Sequence, residues 1–198
     1  MSDHPTRAAP NRTAIVTGAS RGIGAAITER LARDGFAVVV NYSGNADAAM
    51  ALVAKIEAAG GRAVAVRADV ADPAAVSAAR RLRDGGRIIS FSSSVVGLYQ
   101  PSYAVYAATK AGVEAMTHIV AKELGPRGVT VNVLAPGPVA TELFLTGKSD
   151  ELVAQIAKMN PFGRLGEPDD IARVVSFLAS PDGGWVSGQV IRANGGVV

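Results

Sequence analysis

The sequence predicts an α/β fold: a doubly wound parallel sheet in a single domain spanning residues 13–198. Three observations predict it. Short apolar runs of strand length alternate with stretches of helical period from the beginning of the chain. Those runs are apolar almost throughout, as strands covered on both faces are. The 198 residues, 48% hydrophobic and 19% charged, suit one globular domain with an ordinary core.

Residues 1–12 carry Pro5 and Pro10 without periodicity and read as a flexible tail. Residues 13–17 form the first strand, 18–24 a glycine-punctuated turn, and 23–34 a helix with Ile23, Ile27 and Leu31 on one face. Gly35 stops that helix. A second strand at 37–41 precedes a helix at 46–59, which Gly60 and Gly61 end, and 62–66 is the third strand. Further strands are predicted at 87–92, 129–134 and 189–192, with helices at 105–124, 151–159 and 169–179. Strand–helix–strand order of this kind implies a parallel sheet with helices on its faces.

Composition removes several classes of function. With no cysteine there is no disulfide, thiolate nucleophile or thiolate metal ligand, and no metal site is expected. The start of the chain lacks the apolar core of a secretory signal, and no run approaches the roughly 20 apolar residues of a membrane span, so a cytoplasmic protein without a membrane partner is expected. The net charge is +3, and Arg80, Arg81, Arg83 and Arg87 read as a solvated helix end. Aromatic residues make up 5% of the chain, too few for the stacking platforms of a nucleic-acid binder.

In such a sheet, ligands bind outside the carboxyl ends of the strands. Gly18, Gly22 and Gly24 let the backbone bend sharply beside a pyrophosphate, and the free N–H groups of the following helix attract its charge. A carboxylate after the second strand would accept the ribose hydroxyls of NAD; this chain has Asn41, Tyr42 and Ser43 there. Arg21 offers a planar fork to a 2′-phosphate, so NADP(H) is expected in preference to NAD(H).

Tyr106 and Lys110 lie four residues apart at the start of a long helix and therefore on one face. A free tyrosine, with a pKa of about 10, is a poor acid or base near neutrality, but a neighbouring ammonium and a helix N-terminus favour the phenolate. Ser92, Ser93 and Ser94 end a strand just before this helix, where a hydroxyl can bond a carbonyl oxygen that gains charge during hydride transfer. No histidine stands by to activate a serine as a nucleophile, and His118 reads as a packed or surface residue.

The run from Thr17 through Gly18, Ala19, Ser20, Arg21, Gly22 and Ile23 to Gly24, together with Tyr106-Ala-Ala-Thr-Lys110, resembles the short-chain dehydrogenase/reductase family. The likeness covers almost the whole chain and is nearest to 3-oxoacyl-carrier-protein reductases and related carbonyl reductases. It implies a Rossmann-like domain in which Tyr106 is the catalytic acid/base, Lys110 favours its phenolate and holds the nicotinamide ribose, and a serine orients the substrate. The family's serine precedes x-x-Gly, which selects Ser94, whereas Ser93 has the more usual spacing from the tyrosine. The resemblance further implies cofactor contacts along the glycine turn and at Asp69, Val70, Pro136, Gly137, Val139 and Thr141, with 142–164 as a substrate lid. A homo-oligomer built through the tyrosine-bearing helix, its neighbour and the last strand is also implied.

One departure from that pattern is large. The family carries a strand and two helices between the Asp-Val pair and the serine, which need roughly 45 residues. Here 16 residues, 71–86, fill the interval. A central strand and a helix are therefore expected to be missing, the strand at 87–92 being expected to pair with the first strand unless another chain supplies the partner. The functional expectation is an NADP(H)-dependent oxidoreductase that interconverts a carbonyl, either a ketone or a 3-oxoacyl group, and an alcohol. The alternatives are a nucleotide-binding relative impaired in catalysis, and a remnant that folds poorly around an incomplete sheet.

Overall fold

The computed structural model describes residues 12–69 and 82–198. The tail 1–11, and the segment 70–81 containing Val70, Arg80 and Arg81, lie outside the described residues. The chain divides into two compact units, Met1–Asp69 and Val70–Val198, each with its own parallel sheet.

The first unit runs β1 (Thr13–Val16), α1 (Gly22–Arg33), β2 (Ala37–Tyr42), α2 (Ala46–Ala58) and β3 (Arg62–Arg67), with strand order β1-β2-β3. The periodicity read from sequence becomes packing. Ile27 and Leu31 of α1 are buried, as are Ala49, Leu52, Val53 and Ile56 of α2, against Val38 and Val40 of β2. Ile15, Val39 and Val64 form one row across the three strands, and Ile15 and Val64 are 63% and 53% exposed. Arg12, assigned to the tail by sequence, donates to the Asp34 carbonyl at 2.9 Å and stacks 4.2 Å from the Phe36 ring centre.

The second unit runs β4 (Arg87–Phe91), α3 (Val95–Leu98), α4 (Ala104–Leu124), β5 (Thr130–Pro136), α5 (Glu142–Leu145), α6 (Asp150–Lys158), α7 (Pro168–Ala179) and β6 (Val190–Ala193). Short 3-10 turns occupy Gly125–Arg127 and Pro181–Trp185. Its strand order is β4-β5-β6. β5 is buried along its whole length, and Ile171, Ala172, Val175 and Leu178 of α7 complete the core. Asn132 stands fully buried in β5 because its amide is satisfied: Nδ2 donates to Val186 O at 2.7 Å and Oδ1 accepts from Gln189 N at 3.1 Å.

All four ladders are parallel and helices alternate with strands, so the α/β class stands. The expected pairing of 87–92 with the first strand is not among the ladders of the described residues. Among the described residues β1 pairs with β2 and β4 with β5, in the registers Thr13↔Ala37 and Arg87↔Thr130.

Candidate active site

In the first unit the glycine turn is tight. Gly18 and Gly22 have φ of +61° and +54°, the left-handed region that side chains disfavour. A Cβ on Gly24 would lie 2.2 Å from the Gly18 carbonyl oxygen, so the chain closes on itself there only without a side chain. Arg21 is the extended N-cap residue of α1, exposed, with its carbonyl accepting from Ala25 N at 3.2 Å; Ser20 and Ile23 flank it, half-buried. The first turn of α1 has neither a side-chain cap nor an acidic residue. Its N–H groups and positive dipole end therefore meet an anion with no internal competitor, which fits a nucleotide pyrophosphate.

At the carboxyl end of β2 the three predicted contacts separate. Asn41 is buried, and its Nδ2 donates to Val66 O at 3.3 Å and Ala68 O at 3.0 Å, so its amide ties β2 to the end of β3. Tyr42 is half-buried and Ser43 exposed. Asp69 is exposed two residues past β3. After β2 the first carboxylate is Asp47, in the first turn of α2, a helix capped by Asn45 accepting from Ala48 N at 3.0 Å. Sequence reading missed Arg67, whose Nε donates to Ser43 O at 3.2 Å. The pairing was hidden because its register depends on the β2–β3 ladder.

In the second unit α4 brings the chemical residues together. Tyr106 lies in its first turn, 45% exposed, with the Lys110 Nζ 5.7 Å from its ring centre and Tyr103 packed edge-on at 6.3 Å. Lys110 Nζ donates to the Phe91 carbonyl at 3.1 Å, which anchors the ammonium at the end of β4. One residue on, the buried Ser92 donates to Glu114 Oε1 at 2.6 Å. Two consecutive residues leaving β4 thus hold two successive turns of α4, and Glu114 was not singled out from sequence. The pattern signal was its place one turn beyond Lys110 on the same face.

The serines differ. Ser94 is 2% exposed; its Oγ donates to Ala135 O at 3.3 Å and accepts from Asn194 Nδ2 at 2.9 Å. Ser93 is half-buried, and its Oγ accepts from Val95 N at 3.3 Å. Pro136 O, at the end of β5, accepts from Ser94 N at 2.9 Å, and Gly137 N donates to Ala193 O at 3.2 Å. Val139 is buried and bridges to Gly166, while Thr141 caps α5 by accepting from Phe144 N at 3.2 Å. Along 142–164, Leu143 and Phe162 are each 74% exposed.

Family models match both ends of the chain: one described as short chain dehydrogenase over residues 12–82, the other as Enoyl-(Acyl carrier protein) reductase over 76–198. The chain belongs to the short-chain dehydrogenase/reductase family. It is thereby an oxidoreductase. Within that family it is 39% identical over 241 aligned positions to an uncharacterised oxidoreductase of Methylorubrum extorquens, covering 94% of this chain and 97% of the relative. It is 40% identical over 253 positions to NADPH-dependent aldehyde reductase 2, chloroplastic, of Arabidopsis thaliana, covering 93% of each. Among solved members, an angucycline C-6 ketoreductase with bound NADP matches at a TM-score of 0.84 and 30% identity, covering 94% of this chain and 95% of that one. A short-chain dehydrogenase from Burkholderia cenocepacia in complex with NADP matches at 0.85 and 32%, covering 94% and 97%.

These alignments are longer than the 198 residues of this short-chain dehydrogenase/reductase, so the relatives carry positions with no counterpart here. The two family models meet at 76–82, inside the interval where the sequence is short.

Proposed function

We propose that the protein binds NADP(H) and interconverts a ketone or 3-oxoacyl carbonyl and the corresponding alcohol. The observation that carries this reading is the group at the end of β4: Tyr106 one helical turn from Lys110, the Lys110 ammonium fixed on Phe91 O, and the serines that directly follow Phe91. Relatives whose names specify NADPH and aldehyde reduction, and a ketoreductase solved with NADP, support the cofactor and the carbonyl class.

The glycine turn and the uncapped end of α1 would hold the pyrophosphate, with Arg21 and the residues after β2 facing the adenylate half. When bound, the nicotinamide supplies the hydride. The phenol of Tyr106 gives a proton to the carbonyl oxygen in reduction and takes one from the alcohol in oxidation. Lys110, whose Nζ stands 5.7 Å from the centre of the Tyr106 ring, would hold the nicotinamide ribose. The serine that orients the carbonyl is Ser93. Among the described residues its Oγ receives one backbone bond and donates none, whereas the Ser94 hydroxyl already donates to Ala135 and accepts from Asn194. Ser94 braces the floor of the site, and α5, α6 and the exposed apolar residues between 142 and 164 form the substrate lid.

The test is NADPH oxidation with a panel of ketones and aldehydes, wild type against Tyr106→Phe. Tyr106→Phe is expected to lower kcat by about a hundredfold or more while NADPH binding, followed by calorimetry, stays within about twofold. Saturable NADPH binding with no tyrosine-dependent turnover would leave a nucleotide-binding protein and overturn the catalytic half of the reading.

A further inference from the structure

We propose that Arg67 is a specificity-determining residue that grips the 2′-phosphate of NADP(H), from the third strand and not from the glycine turn. The inference rests on the NADP(H) reading above and deepens it. Arg67 is the last residue of β3 and the register partner of Tyr42, so the two stand side by side on the final rung of the β2–β3 ladder, at the carboxyl ends where a ligand sits. Strand period puts Arg67 on the same face as Ala63 and Ala65, beside the buried Val38 and Val40 of β2. A guanidinium is out of place on that face except at its open end, where Arg67 is exposed.

Its Nε donates to the Ser43 carbonyl at 3.2 Å, fixing the guanidinium to the loop that leaves β2. Neither Nη group makes a hydrogen bond among the described residues, so an end-on fork of two charged donors stays available for one phosphate. The amide of Asn41, at the same end of the sheet, is committed: it is buried on the carbonyls of Val66 and Ala68. A carboxylate that would select the free ribose hydroxyls is missing from residues 41–46. Anchoring by Ser43 also reduces the side-chain freedom that an arginine loses on gripping an anion.

The experiment is calorimetric titration of the whole chain with NADPH and, separately, with NADH, comparing wild type, Arg67→Gln and Arg67→Lys, with a thermal melt of each to confirm folding. Arg67→Gln is expected to raise the Kd for NADPH about tenfold or more and to leave that for NADH within about twofold. Arg67→Lys, which keeps charge but loses the fork and the Ser43 bond, is expected to fall between. A wild type that binds NADPH no tighter than NADH removes the NADP(H) reading and this proposal with it. A wild type that prefers NADPH, with Arg67→Gln keeping the preference, overturns the proposal alone and leaves recognition to Arg21. Equal weakening of both nucleotides in Arg67→Gln makes Arg67 a loop staple and likewise overturns it.

Discussion

Ser93 and Ser94 show what one residue of offset does at a strand exit. Successive side chains leave the end of β4 in different directions, so one hydroxyl enters the dehydrated layer between β5 and Asn194 while its neighbour stays half-buried. The two substitutions should therefore separate. Ser93→Ala is expected to lower kcat by about a hundredfold, as loss of a donor to a developing oxyanion does, with an unchanged melting temperature. Ser94→Ala takes from the buried Asn194 amide one of its two acceptors, leaving Val198 O, and is expected to destabilise the chain by about 1 kcal/mol in urea titration. The sequence offered both serines, one by its distance to the tyrosine and one by its following glycine. Burial separates them, and burial depends on contacts one hundred residues apart along the chain.

Helix α7 carries the clearest electrostatic device among the described elements. Asp170 accepts from Arg164 Nη1 at 2.7 Å and from Glu167 N at 2.9 Å, closing the first turn of the helix. The bond from Arg164, then that from the Glu167 backbone, holds the Asp170 carboxyl below the usual carboxylate range. A lowered folded value means that the ionised form is favoured by folding. The contribution is full above the unfolded carboxylate value of about 3.9 and disappears as pH falls through the lower folded value. Asp170→Asn should cost about 1 kcal/mol at pH 7, allowing for the third of the side chain that is exposed, and the gap from wild type in urea midpoint should narrow as pH falls below the unfolded carboxylate value of about 3.9. Elements of this length were legible from sequence: α1, α2, α4, α6 and α7 fall within a residue of the expected spans because each shows helical period. The four-residue helices α3 and α5 were missed, since one turn displays no period at all.

At the scale of the molecule, family and fold class were readable because the glycine turn and the tyrosine–lysine pair are local in sequence. The partner of β1 was not, because pairing across a shortened connection depends on where a strand settles and not on its composition. The expected homo-oligomer belongs to this scale as well. Met116 and Ile119, on the tyrosine-bearing α4, are 52% and 59% exposed, a pair of large apolar side chains three residues apart on one helix face. Sedimentation of the wild type is expected to show a dimer or larger species, and Ile119→Glu to shift it to monomer; a monomeric wild type would remove this assembly. The exposure of Ile15 and Val64 on the first sheet has a practical consequence. A solvatochromic dye such as anilinonaphthalene sulfonate should adsorb to the Ile15 and Val64 row in the native protein, so a dye-based melting scan would begin bright, and unfolding is better followed by circular dichroism.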